Sequence, residues 1–303
     1  MTVLIGANGA GKSQMLAAFD ILGRIIDHQD VGRWRPIPAG AEIEVWAQQP
    51  GCPPDGFRVR LDPTGERHAL APMGGRQTKP GAGLVQSLNG CRVHHFDDTS
   101  LDAPAKRRVD PADNITLADD AHNLAAVLLR LRADAPSRYQ RIVRTVRTIA
   151  PYFSDFVLDV SGSTMSLQWL EHGLDQPMSA GQLGDGTLRF ICLSVLLLQD
   201  NPPGTIIIDE PELGLHPFAV HQAAALMKRA AQDRRVVVST QSTTLLNQFG
   251  LDDVAVAERT AAGVQLRRPD ATGLEPWLSD TTLGELWEEN LLGGRPRPDE
   301  SPS

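Results

Sequence analysis

The chain has 303 residues, 41% of them hydrophobic and 22% charged, and its 29 Lys and Arg against 37 Asp and Glu give a net charge of −8. At about 150 residues per domain this length implies two structural units, or one α/β domain with an insertion, and a core large enough to need no metal or disulfide staple. The acidic balance excludes a wholly basic nucleic-acid coat protein and leaves room only for a local basic patch. Cys52, Cys91 and Cys192 are scattered, without a CxxC pair, which argues against a disulfide framework or a zinc ribbon and fits a reducing compartment. No signal-peptide pattern opens the chain, and the longest apolar run, around Phe190 to Leu198, is about half a membrane span. The expectation is a soluble, cytoplasmic protein.

In chain order, Val3 to Ile5 reads as a strand, followed by a Gly-rich loop and a helix with Leu16, Phe19, Ile21, Leu22, Ile25 and Ile26 as its apolar positions. Short alternating runs, EIEVW (42–46) and FRVRL (57–61), predict an antiparallel β patch. Residues 71–90 carry Gly and Pro without periodicity and read as a mobile loop, before a strand in CRVHHF (91–96). Residues 117–149 predict two helices, the second opened by Pro136, as a lobe inserted into the α/β core. A hairpin turning at Ser161–Gly162 follows. LRFICLSVLLLQ (188–199) reads as a buried helix and TIIID (205–209) as a central parallel strand. A helix near 217–232, a strand at 236–240 and a short helix at 243–249 complete a βαβα order, which predicts a mostly parallel sheet flanked by helices. The tail from Gly293 reads as disordered.

Gly6, Ala7, Asn8, Gly9, Ala10, Gly11, Lys12 and Ser13 fit G-x-x-x-x-G-K-[ST] between a strand and a helix. In that layout backbone N–H groups curl around phosphate oxygens, the helix N-terminus adds its positive end, Lys12 reaches the β- and γ-phosphates, and the Ser13 hydroxyl ligates Mg²⁺. The apolar strand ending in Asp209 and Glu210 supplies the other half: Asp209 for the magnesium shell, Glu210 to orient and deprotonate the attacking water. Leu183, Gly184, Asp185, Gly186 and Thr187 form a second anion-binding turn at a helix start. One nucleotide rarely needs two such loops from one subunit, so this turn is expected to cap the nucleotide of a second subunit.

With Asn8 in the loop, the DGTLR turn, DEPELGLHP and STQSTTLLNQF (239–249), the chain resembles the RecF/SMC-like branch of ABC-type P-loop ATPases. It is most similar to bacterial AAA-family ATPases found near repair and defence genes. HFDDTS (95–100), DNITLADDAHNLAAVLLRL (113–131) and LGELWEENLLGGRP (283–296) extend the likeness over almost the whole chain. The resemblance implies a single ABC-type ATPase domain over residues 1–292. Residues 1–100 would be a nucleotide-binding lobe with the β patch, 101–183 the helical lobe and hairpin, and 184–292 the signature helix, Walker B and switch lobe. Residues 293–303 are left as tail. It also implies an ATP-driven head-to-tail homodimer, in which Leu183–Thr187 is the signature turn in trans, Leu213–His216 the D-loop and Gln241 the switch position. Asp98 and His216 enter as further site candidates.

Three features depart from that pattern. Family members carry Ser where this chain has Gly184, and that hydroxyl contacts the γ-phosphate across the dimer. Gln241 stands where ABC-type ATPases often have His; it can hydrogen-bond phosphate or water but cannot take the charge. The phosphate loop starts at residue 6, where the family places one or two strands first; this implies a start further upstream and leaves base preference unread. His94 and His95 alternate faces on a strand and do not read as a metal pair. Arg138, Arg141, Arg144 and Arg147 recur on one helix as either a solvated face or a DNA or partner surface. Trp277 and Trp287 read as core.

The leading expectation is an ATP hydrolase with ATP and Mg²⁺ as substrate and cofactor, acting in DNA repair or anti-phage defence with a DNA or effector-protein partner and no membrane. The alternatives are a nucleotide-gated scaffold with little turnover, supported by Gly184 and Gln241, and the nucleotide-binding subunit of an ABC transporter, disfavoured because the turn is LGDGT rather than LSGGQ.

Overall fold

A computed structural model describes residues 1–27, 42–47, 55–61, 68–73, 85–86, 88–260, 263–278 and 280–294. Its main sheet has six strands in the order β14-β13-β1-β12-β11-β5. They are β5 (Arg92–His94), β11 (Thr205–Asp209), β12 (Arg235–Ser239), β1 (Thr2–Ile5), β13 (Val254–Thr260) and β14 (Gly263–Arg267). The first five run parallel; only β14 returns antiparallel. The β-branched run of β11 is buried on both faces, as a central strand flanked by helices requires. The expected antiparallel patch is present as β2 (Glu42–Ala47), β3 (Asp55–Leu61) and β4 (His68–Met73). The loop expected from residue 71 therefore begins later. Pro72 falls on β4, an edge of this patch, where proline is better tolerated than in a central strand. Residues 74–84 of that expected loop lie outside the described residues.

Helix α1 (Lys12–Ile26) follows the phosphate loop and packs on β5. The two predicted helices of the lobe are α2 (Leu124–Asp134) and α3 (Pro136–Ile149). Tyr139, Ile142, Val143 and Val146 recur at helical spacing and are buried, which seats α3 on α4 (Asp185–Leu198). These helices share one apolar cluster with the sheet strands, so the lobe is continuous with the core. The hairpin forms between β7 (Val160–Ser161) and β8 (Thr164–Met165) and turns at Gly162–Ser163, one residue later than expected. Outside it β6 (Phe153–Val157) pairs with β9 (Gln168–Glu171), and β9 with β10 (Met178–Ser179). The Arg stripe is divided. Arg138 donates to the carbonyls of Leu198 and Gln199 and Arg147 to that of Ser154, while Arg141 sits among Arg138, Arg144 and Arg229.

Two expectations fail. Trp277 is 48% exposed: it lies on a short helix, α7 (Ala271–Leu278), which contains Pro276 and packs Leu274 into the core. Trp287 does pack against the core. Gly293 and Gly294, assigned above to the disordered tail, are held in place. The Arg267 guanidinium binds the Leu292 carbonyl, and the Gly294 carbonyl accepts the Ala7 N–H at 3.0 Å. Residues 295–303 lie outside the described residues.

The open edge at β5 is closed by side chains. Buried Asp20 accepts the Val93 N–H at 3.1 Å and Arg24 Nε at 2.6 Å, and Arg24 reaches on to Asp119, whose carbonyl accepts the His95 N–H. His94 points inward, 2% exposed, and burial pushes it down to about 4 against the pull of Asp119. Folding thus favours the neutral imidazole. Its contribution is complete above the unfolded value near 6.5 and is lost as pH falls toward 4, by up to about 3 kcal/mol at about 1.4 kcal/mol per unit. Urea unfolding from pH 7 to pH 4 should show this loss, and His94→Leu should flatten that part of the profile.

Candidate functional site

Parallel strands end on the same side of a sheet, so the residues after β1, β12, β11 and β5 meet along one edge, where α/β folds bind ligands. Register makes this concrete: Asp209 pairs with Ser239 and Ser239 with Leu4. The phosphate loop leaves β1 there. Gly6 has φ 151, and a Cβ on it would lie 2.5 Å from the Ala257 carbonyl oxygen; Gly11 has φ 90, and a Cβ would lie 2.2 Å from Val264 Cγ2. Only glycine serves at these two positions. Gly11 caps α1, which starts at Lys12 and leaves Ser13 exposed in its first turn.

Lys12 is buried, and its Nζ donates to the Gly6 carbonyl at 2.6 Å and the Ala7 carbonyl at 3.1 Å. Burial lowers its pKa, opposed by the negative charges of Glu210 and Asp209, which places all three groups in one electrostatic unit. Burial raises the Asp209 carboxyl, against the Ser239 hydroxyl, His95 and Lys12. Glu210 takes a left-handed φ of 46, its N–H donates to the Ser239 carbonyl at 2.8 Å, and its Oε1 accepts the Gln241 side-chain amide at 2.5 Å. Lys12, Asp209, Glu210 and Gln241 are thus brought together at one edge of the sheet.

The turn at 183–187 lies elsewhere. Gly184, Gly186 and Thr187 line a recess of about 230 Å³ with Gly214, His216 and Phe218, none of which belongs to the phosphate loop. His216 accepts the Phe218 N–H at 3.2 Å and so caps α5 (Pro217–Ala230). Asp98 is exposed and caps its own turn by accepting the Ser100 N–H. It is Asp97 that lines the narrow recess beside Asp209 and Glu210, and His95 Nδ1 that lies 3.8 Å from Asp209.

Three residues that sequence reasoning missed shape the site. Besides His95, Arg189 donates to the carbonyls of Phe96, Asp97 and Leu213, tying α4 to the segments after β5 and β11. Glu212 accepts from the Thr240 hydroxyl. The Arg in DGTLR and the second Glu of DEPEL were visible in the sequence, but their partners were not.

The site fits a magnesium-bound nucleotide triphosphate. The Ser13 hydroxyl and the Asp209 carboxylate are hard oxygen donors of the kind magnesium takes one or two of, alongside phosphate. The glycine-shaped loop before a helix N-terminus is an anion cradle.

A family model described as "AAA domain, putative AbiEii toxin, Type IV TA system" matches residues 91–247. Among curated proteins, human (Homo sapiens) ATP-binding cassette sub-family A member 10 is 36% identical over 66 residues, which are 22% of this chain and only 4% of that protein. Among solved structures, the Smc head bound to the C-winged helix domain of ScpA superposes with a TM-score of 0.56 at 16% identity, covering 88% of this chain and 89% of that one. The Smc head with an extended coiled coil bound to the C-terminal domain of ScpA, from Pyrococcus furiosus, gives 0.56 at 13% identity and 92% of both chains. At these identities the likeness is one of fold.

Removing the Lys12 ammonium should weaken Mg-ATP binding by about tenfold or more, the cost of a charge-assisted bond to phosphate. Calorimetric titration of Lys12→Ala against the wild-type chain checks it.

Proposed function

Because this chain belongs to the AAA-domain family described as putative AbiEii toxins of type IV TA systems, and has the fold of SMC/ABC-like P-loop ATPases, we propose that it binds and hydrolyses Mg-ATP at the edge formed by β1, β11 and β12. The observation that carries this reading is that the loop of residues 6–13 leaves β1 beside Ser239, whose register partner is Asp209, with Glu210 next in the chain. Lys12, now folded onto the Gly6 and Ala7 carbonyls, would turn to the β- and γ-phosphates, and the N–H groups of Asn8 to Ser13 would surround the phosphates. Ser13 and Asp209 would hold magnesium, which neutralises phosphate charge. Glu210 would take the proton of the attacking water and Gln241 would hold its carboxylate in place.

We further assign the turn at Leu183–Thr187 to the nucleotide of a second copy in a head-to-tail dimer. Its placement beside Gly214 and His216, away from the phosphate loop, supports this. Gly184 has the ordinary φ of −63, and a Cβ there would meet nothing nearer than Thr187 Oγ1 at 3.9 Å, so a serine fits without strain.

These assignments predict opposite effects. Glu210→Gln should lower Mg-ATP turnover about a hundredfold while leaving binding intact. Gly184→Ser should tighten ATP-dependent dimerisation about tenfold by adding a hydroxyl bond to phosphate. Steady-state phosphate release and sedimentation measure the two. Equal turnover of wild type and Glu210→Gln would reject hydrolysis at this site. The nucleotide-gated scaffold would then lead, a reading favoured by the Gln241 amide already engaging the Glu210 oxygen.

Family membership supports defence over DNA repair as the setting. DNA is the partner whose charge suits the face where Arg141 sits among Arg138, Arg144 and Arg229. Retention of duplex DNA should fall steeply with salt and be lost in Arg141→Glu; retention indifferent to both removes DNA from the proposal.

A further inference from the structure

Glu212 lies two residues past the carboxylate read as the catalytic base, on the loop that leaves β11. A loop glutamate ordinarily points to water. This one turns inward, and its Oε1 accepts from the Thr240 hydroxyl at 2.5 Å and from the Gln241 backbone N–H at 3.3 Å, while its Oε2 is buried without a partner. A buried carboxylate with an orphaned oxygen is a poor choice where only stability is at stake, because the unmade bond is a penalty that an apolar residue would avoid. The arrangement needs another reason.

Thr240 supplies it. The residue is fully buried, its N–H donates to the Leu4 carbonyl at the end of β1, and its hydroxyl accepts the Ser242 N–H at 2.9 Å while donating to Glu212. Ser242 in turn caps the short helix α6 (Thr243–Leu246). The path of residues 240–242 is therefore set from β1 and from α6, and Glu212 is what ties it to the loop after β11. Gln241 stands at the centre of that path, with its side-chain amide on Glu210. On the other side of Glu212, the Leu213 carbonyl is gripped by Arg189 at 2.6 Å from the signature helix. A continuous set of bonds thus runs from the signature helix, through residues 212 and 213, to Gln241 and back to Glu210.

We infer that Glu212 is a positioning residue: it couples the loop of residues 211–216 to Gln241, so that a displacement of that loop moves the amide that holds Glu210. The inference rests on the reading of Glu210 as the base in the preceding subsection, and its test has an arm that does not.

In the full chain, Glu212→Ala should lower kcat for Mg-ATP about tenfold or more while KM stays within about twofold, because what is lost is alignment rather than binding. Glu212→Gln should recover kcat to within about threefold, since its amide oxygen can accept both bonds. Thr240→Val, which removes the donor, should reproduce the alanine variant. Independently of turnover, hydrogen exchange of the amides at 240–242 should speed up about tenfold in Glu212→Ala and not in Glu212→Gln. Unchanged kcat with unchanged exchange overturns the inference. So does a fall in kcat shared by the glutamine variant, or one accompanied by an equal rise in KM and a lowered melting temperature, which would mark a mere brace. If Glu210→Gln turns over as fast as wild type, the reading of Glu210 fails, and the exchange arm alone decides the coupling.

Discussion

Everything at the site follows from strands running parallel. An antiparallel pair would send Asp209 and Ser239 to opposite ends of the sheet; the parallel ladder places them side by side, and Leu4 beside Ser239. Because a parallel connection needs a crossover, each strand end opens into a loop that must cross to a helix, and the loops from β1, β11 and β12 crowd into one edge. The apolar residues that make this ladder, Ile206 to Ile208 and Val236 to Val238 among them, have no contact with any nucleotide to make. Their contribution is to hold the register on which the polar residues depend, since a one-residue slip would carry Asp209 away from both Ser239 and the phosphate loop.

Crowding at that edge is met by unusual backbone. Gly6 and Gly11 lack a Cβ where Ala257 and Val264 press closest, and so can hold positive φ there. Glu210 has a Cβ and still sits at φ 46, a cost of about 1–3 kcal/mol. Its own N–H to the Ser239 carbonyl, and its carbonyl accepting the Leu213 N–H, hold it there. This strain has a direction. It turns the carboxylate toward Gln241, across from β12, instead of letting it continue the alternation of β11.

What could be read from the sequence divides along the same line. The phosphate loop, β11 and α3 were legible because their signals are local: a spacing of glycines, a β-branched run, apolar residues at every third or fourth position. The misreadings occurred where a distant partner decides. Gly293 and Gly294 look like the start of a polar tail until the Ala7 N–H, almost the whole chain away, claims the Gly294 carbonyl. The sequence offered Asp98 as a site candidate, but which member of HFDDTS faces Asp209 depends on how β5 pairs with β11, and the pairing is not written in either strand alone. Arg189 serves carbonyls 24 and 93 residues away. Trp277 is exposed on a short helix, against the general preference of tryptophan for cores that the sequence reading followed.

The carboxylates bear on the proposal that this site takes up a cation and a triphosphate together. Asp209, Glu210 and Glu212 crowd one short loop. Burial raises the first and third, and the charge of Glu210 adds to both rises. Lys12 opposes this for Asp209 but is itself destabilised by burial. Among the described residues, three carboxylates thus stand beside the Lys12 ammonium and His95, next to a loop shaped for an anion. A triphosphate bound alone would add to that negative charge; a divalent cation bound with it, as proposed above, would offset the addition and relieve repulsion among the carboxylates, and the segments that bear them, from Asp209 to Gln241, are the ones whose positions such relief would change.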